Sequence, residues 1–337
     1  MKIKYSKTII VLLVLLPLVS LVFCIGIGRY GISMADSIKI LSASVTGRQG
    51  VVDQQAYSVI WSMRLPRLML DLLCGMGLSV AGASLQALFS NPLTSSDTLG
   101  VSAGAAFGAA LALLFSANLL IVQISSLSFG IFAVAVAIYV GKSKSNSSIV
   151  MMILAGVLVS YMFQAFVSLV KYVADTDSKL PAITFWLMGS MSGVSYKTLS
   201  IGTPFILIGS LSLYAMRWKL NVLSLGDDEA KSLGINLKRT KLFIIFFSSM
   251  ITAACVSMCG MVGWVGLLIP HLSRMLFGNN NLYVIPASIS LGATFLILID
   301  TIARSATAAE IPISILTAII GAPIFIMLLK RTGGAWR

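Results

Sequence analysis

The amino-acid sequence predicts an all-α, polytopic membrane protein with about ten transmembrane helices, and three observations predict it. Of its 337 residues 58% are apolar and 10% charged; soluble domains carry roughly a quarter charged residues, so one water-bounded core cannot hide this much hydrophobic side chain. The apolar residues fall into ten runs of about 20, the length with which an α-helix crosses roughly 30 Å of hydrocarbon. The basic residues lie between these runs, where topology determinants sit, rather than on one face as nucleic-acid binding requires. The net charge of +13 therefore points to lipid, not nucleic acid.

The first run, 8–28, follows Lys2, Lys4 and Lys7 and imitates a secretory leader. It exceeds the roughly 7 to 15 residues of a leader core and no small-x-small site closes it, so it reads as an uncleaved first span. Cys24, preceded by Phe23, does not make a lipoprotein cleavage site. The second run, 66–89, opens on Pro66, which suits a first helical turn. In it Gly75, Ser79 and Ala83 recur four apart, as do Gly100, Gly104, Gly108 and Ala112 in the third run, 98–117. Such bare faces let helices approach closely in lipid, and packing rather than substrate contact is expected of them. Runs 119–140, 149–171 and 198–216 follow.

Between the sixth and seventh runs lies the most polar stretch, within a loop over 221–240. Leu223 to Gly234 reads as a short helix with Asp227, Asp228 and Glu229 in its first turn and Gly234 as terminator. So short a helix needs something to pack on. The last runs are 242–260, 261–277, 283–303 and 312–329, the first two separated only by Gly260 and Gly263. Residues 1–337 read as a single transmembrane domain. With the N-terminus inside, Lys142, Lys144, Arg217, Lys219, Lys231, Lys238, Arg239, Lys241, Lys330 and Arg331 fall in the cytoplasm. That side then holds roughly 15 basic and 4 acidic residues against about 9 and 7 outside, as the positive-inside rule asks of ten spans, and the C-terminus is inside too.

Several motifs that resemble chemistry lack its mechanism. Gly26-Ile27-Gly28-Arg29-Tyr30-Gly31 has dinucleotide spacing but ends a membrane helix instead of following a strand. Gly141-Lys142-Ser143 has Val136 where a phosphate loop needs its first glycine. His271 is the one histidine and has no triad partners in view, so a structural role is expected. Cys24, Cys74, Cys255 and Cys259 lie in apolar runs without metal-ligand spacing and are expected as small core residues. No catalytic residue, metal or cofactor is expected. Intramembrane acids mark ion pathways, but the two found, Asp71 and Asp300, sit near outer ends, four residues from Arg67 and Arg304 respectively, so that each pair shares a helix face. A secondary transporter or channel, the rival reading, would place acids nearer mid-bilayer. Arg64-Leu65-Pro66-Arg67 sets two guanidinium groups toward the outside, either snorkelling or docking carboxylates.

At these residues the chain resembles the FecCD family of permeases over nearly its whole length. The resemblance is carried by Arg64 to Arg67, Gly82-Ala83-Ser84-Leu85-Gln86-Ala87-Leu88-Phe89-Ser90-Asn91-Pro92-Leu93, Leu99 to Gly104 and Phe185 to Ser190. It continues through Leu225 to Gly234, Gly266 to His271, Glu310-Ile311-Pro312 and Gly321-Ala322-Pro323. It implies the cobalamin-permease-like fold of a type II ABC importer: a homodimer with the pathway at its interface and the fifth span as a main lining. The partners implied are a second copy, a cytoplasmic ABC ATPase and an extracytoplasmic solute-binding protein. Arg64, Arg67 and Arg304 would receive acids of the binding protein. Leu225, Gly226, Asp227, Asp228, Glu229, Ala230, Leu233 and Gly234 would enter a cleft on the ATPase. Asn91 and Leu93 match a cytoplasmic gate; a second gate falls near Ser148 to Val150, where Ile149 and Val150 replace the relative's hydroxyl side chains. The function implied is non-catalytic import of an iron-siderophore across the bacterial cytoplasmic membrane, with haem or cobalamin as alternatives.

Overall fold

The computed structural model describes residues 7–46, 53–116, 118–142, 149–307 and 309–332; Lys2, Lys4, Lys144 and Ser148 lie outside them. The described residues are helical with no strand. In chain order the helices are α1 (Lys7–Gly26), α2 (Met34–Thr46), α3 (Gln54–Ser58), α4 (Leu65–Phe89), α5 (Val101–Phe115), α6 (Leu119–Gly141), α7 (Ile149–Val173) and α8 (Lys179–Leu187). Then come α9 (Tyr196–Ala215), α10 (Arg217–Leu223), α11 (Asp227–Ser232), α12 (Leu237–Cys259), α13 (Val265–Phe277), α14 (Asn281–Ser305) and α15 (Ile313–Thr332).

Ten of these occupy the ten expected runs. Among the described residues seven stretches are long and apolar enough to cross a membrane: α1, Gln54–Phe89, α6, Val150–Val173, α9, α12 and α14; α5, α13 and Ile313–Leu328 are shorter. Caps set many of the starts. Asn118, Ser195, Asn236 and Asn280 each accept a backbone N–H of the first turn that follows, satisfying donors that a helix leaves open. Pro66 stands in the first turn of α4, which a π-helical turn over Val59–Arg64 joins to α3.

The core is built on α4, whose side chains are almost all buried, and on α12, buried throughout from Ser248 to Cys259, and α14 packs along α4. Backbone meets backbone where glycines allow it. A Cβ on Gly75 would strike the Gly292 carbonyl of α14, one on Gly82 the Gly266 carbonyl of α13, and those on Gly104 and Gly108 the Phe129 and Ser125 carbonyls of α6. Close approach of this kind replaces the hydrophobic drive that lipid does not supply. Gly100, expected inside the third helix, instead caps it at φ 82°, after a 3-10 turn over Ser96–Leu99, and lies against α7. The division between the seventh and eighth spans is a link from Gly260 to Trp264, with φ of 72° and 69° at its two ends.

That link belongs to a knot of non-helical backbone inside the bundle. Ser190 N donates to Cys259 O at 2.8 Å, Ile313 N to Gly189 O at 3.1 Å and Ser314 N to Met188 O at 3.4 Å. Irregular chain at membrane depth persists only where its polar groups are satisfied or line a cavity, and this knot does both. The four cysteines are buried and free, and the His271 ring lies 5.4 Å from that of Phe325 in the core.

Candidate functional site

α4 enters the bundle where α14 leaves it, so Arg67 and Asp300 stand level. Arg67 Nε and Nη2 donate to the two Asp300 oxygens at 2.8 Å each, and Nη1 reaches both Glu310 oxygens at 2.9 and 2.8 Å. The fork geometry of guanidinium suits it to hold two carboxylates at once. The expected one-turn pairing of Arg67 with Asp71 is thereby replaced by a bridge between helices. The other pairing persists, with Arg304 Nε 3.9 Å from Asp300 Oδ2. Arg304 Nη2 also donates to Cys24 O at 2.6 Å, and Arg64 donates to the carbonyls of Ile25 at 2.8 Å, Gly26 at 3.1 Å and Tyr30 at 2.6 Å. These arginines thus cap the open carbonyls at the end of α1, where positive charge is favoured. Gly28, read as part of a failed dinucleotide pattern, has its use here: a Cβ would sit 2.5 Å from Arg64 Nη2.

Arg64, Arg67 and Arg304 are therefore brought together, but they are buried rather than reaching outward. With Arg29, Tyr30, Ser62, Met191 and Glu310 they line a cavity of about 480 Å³. Four guanidinium groups and one carboxylate on its wall leave an excess of positive charge, which draws carboxylates.

A second cavity, about 990 Å³, runs beside α7, the fifth span. Ser160, Gln164, Ser168 and Lys171 follow helical spacing along one face of α7. Opposite stand Ser102 and Ala106 of α5, the knot residues Met188 and Met261 to Trp264, and Ser314. Asp97 and Lys171 are the charged residues on this wall. Elsewhere α7 shows an apolar surface, with Leu154, Leu158 and Leu169 exposed. The knot separates the two cavities, since Met191 lines the first and Met188 the second.

At the end of the bundle where α4 stops, α11 stands beyond α10. Its first turn carries Asp227, Asp228 and Glu229. Its C-terminus closes as a Schellman turn, Gly234 N to Lys231 O at 2.9 Å and Ile235 N to Ala230 O at 3.1 Å, with Gly234 at φ 78°. Ala230 is buried and Gly226, at φ 131°, opens the helix. Leu225 and Leu233 are exposed. Lys241 of α12 holds both Asp227 oxygens at 2.8 Å, fixing α11 to a span. At the foot of α4 the Asn91 side chain accepts Leu93 N at 2.9 Å and Leu93 is exposed, as is Val150 in the first turn of α7; Ile149 is the first residue of that helix. Between Leu93 and α5 the chain packs on α7, Ser160 Oγ donating to Asp97 O at 3.3 Å.

Sequence reasoning missed Gln164 and Lys171, and it quoted Arg29, within the failed dinucleotide pattern, and Glu310 without giving either a role. For α7 a signal existed: Ser160, Gln164 and Ser168 are four apart in an apolar run. Arg29 and Glu310 gain meaning only from the fold that joins residues far apart in sequence.

Comparison with known proteins agrees with this architecture. The profile of the FecCD transport family matches residues 13–331. The chain is 42% identical over 325 residues to the molybdate import system permease protein MolB of Haemophilus influenzae, covering 95% of this chain and 96% of that one. It is 35% identical over 326 residues to the Fe(3+)-citrate import system permease protein YfmE of Bacillus subtilis, covering 96% and 94%. A solved structure described as an inward-facing metal-chelate type ABC transporter superposes with a TM-score of 0.87 at 40% identity, covering 97% of this chain and 100% of that one.

Proposed function

The chain belongs to the FecCD transport family, and from that premise we propose that it forms the pathway through which a metal chelate, foremost an iron chelate, enters the cell. It is an ABC importer permease of the FecCD type, an integral membrane subunit, and permeases of this family work with an ATPase and a substrate-binding protein.

The observation that carries the reading is the order of three features along one chain: a cationic cavity at one end, a polar cavity beside α7, and a protruding acidic helix at the other end. The cationic end, with Arg64, Arg67 and Arg304, receives carboxylates of the binding protein outside. The loop over 221–240, with α11 at its tip, enters a cleft on the ATPase through Leu225 and Leu233. Two copies face each other across α7 and close the pathway between them, and Asn91, Leu93, Ile149 and Val150 gate its cytoplasmic side. Both termini are then cytoplasmic.

Iron chelate as cargo is supported by the likeness to the ferric citrate permease and to the metal-chelate type transporter. An oxyanion is the second reading. The 42% identity to a molybdate permease favours it, and Lys171 on the pathway wall gives an anion a counter-charge. Uptake into cells carrying the whole transporter decides between them. Accumulation of radioactive iron presented as a chelate, with no accumulation of labelled molybdate, is the result expected; the reverse replaces the first reading by the second.

A further inference from the structure

We propose that Glu310 is an internal stand-in for the binding protein's carboxylate: it occupies Arg67 while the permease is undocked and is displaced when the partner arrives. The inference deepens the docking role proposed above for the arginine cavity and rests on it.

Each nitrogen of Arg67 is engaged. Nε and Nη2 are held by Asp300, which is wholly buried, and Nη1 is held by Glu310, whose side chain is about a third exposed. An incoming acid cannot compete for the Asp300 face, which is closed by α4 and α14. It can compete for the Glu310 face, because that side opens on the cavity that Arg29, Arg64 and Arg304 also line. A carboxylate entering there finds four guanidinium groups and meets repulsion from one lining acid. Exchange of one carboxylate for another on Nη1 keeps Arg67 paired throughout, so the cost of an unpaired buried charge is never incurred.

The position of Glu310 gives the exchange a consequence. One residue on, Ile311 N donates to Ala303 O at 3.2 Å, and three and four residues on, Ile313 and Ser314 bond to Gly189 and Met188, with Ser314 Oγ to Met188 O at 2.6 Å. Met188 and Ser314 line the pathway cavity. Releasing Glu310 therefore loosens the short segment that ties the outer cavity to the wall of the pathway.

The test measures affinity of the transporter's own solute-binding protein for the complete permease–ATPase complex in lipid nanodiscs, with hydrogen exchange at the Ile311 amide as a second readout. Glu310→Gln, which keeps the shape and removes the charge, is expected to tighten docking about fivefold. Asp53→Asn is the control. Asp53 is an exposed acid that Tyr30 joins to the same rim at 3.5 Å without touching Arg67, and Asn can still cap α3. It is expected to change affinity far less. Adding binding protein to the unmodified complex is expected to speed exchange at Ile311.

The stand-in role is overturned if Glu310→Gln leaves docking unchanged or weakens it while Arg64→Gln and Arg304→Gln weaken it. It is overturned equally if Asp53→Asn tightens docking as much as Glu310→Gln, since the effect is then one of general field, or if Ile311 exchange slows or stays constant on docking. The underlying docking reading fails separately if neither arginine variant nor added salt alters affinity.

Discussion

Asp300 is the residue on which the arginine end depends. Both of its oxygens accept from Arg67, its side chain is fully buried, and Arg304 lies beside it. Removing one member of a buried ion pair leaves the other charged and unpaired, at a cost of about 3–5 kcal/mol. Asp300→Asn is therefore expected to lose about 3 kcal/mol or more, whereas Glu310→Gln, at a partly exposed pair, is expected to lose under about 1 kcal/mol. Thermal unfolding of the two variants in the same detergent checks this, and equal losses would show that the bridge does not depend on Asp300. The arginines were legible in Arg64-Leu65-Pro66-Arg67, because a charged pair at the mouth of a span stands out. Their acceptors were not, because Asp300 and Glu310 lie more than two hundred residues downstream and chain neighbours alone suggested Asp71.

At the scale of the helices, packing rests on backbone contact at glycine. A Cβ on Gly82 would overlap the Gly266 carbonyl of α13, while one on Gly263, in the link before α13, meets nothing within 4 Å. Gly82→Ala is expected to cost about 2 kcal/mol, as overpacking does, and Gly263→Ala within about 0.5 kcal/mol. Melting curves of the purified variants measure both, and a tolerated Gly82→Ala would mean that α4 and α13 can part freely.

The helix α11 makes a second prediction. Replacing Asp227, Asp228 and Glu229 together by Asn, Asn and Gln is expected to leave ATP hydrolysis running while uptake falls about tenfold; normal uptake by that variant removes the coupling role. This helix was legible because its signals are local, acids at the first turn and Gly234 after the last. The same locality explains what was not. α2, α3, α8 and α10 are too short to show as spans, and the start of the third helix at Val101 depends on the left-handed Gly100, which an apolar count passes over. The knot of residues 188–191, 259–264 and 311–314 is held by hydrogen bonds between segments far apart in sequence, so no single run announces it.

For the whole molecule, α5, α7 and the knot of backbone line a polar cavity, and the acidic first turn of α11 is exposed. The buried and half-buried ion pairs sit at the arginine end, where they tie α4, α14 and the approach to α15. The ten apolar helices were legible from the chain alone, since hydrocarbon thickness acts on composition. The cavities were not, because one arises between α7, α5 and the knot and the other between Tyr30, the arginines and Glu310, residues that lie far apart in sequence.

The claim on which the account turns is that this chain supplies a route and an ATPase supplies the energy. The direct measurement is uptake of labelled cargo into liposomes holding the permease with and without its ATPase, in the presence of binding protein. The account predicts accumulation against a gradient only when ATPase and ATP are both present. Accumulation driven by a proton or sodium gradient in the permease alone would contradict it.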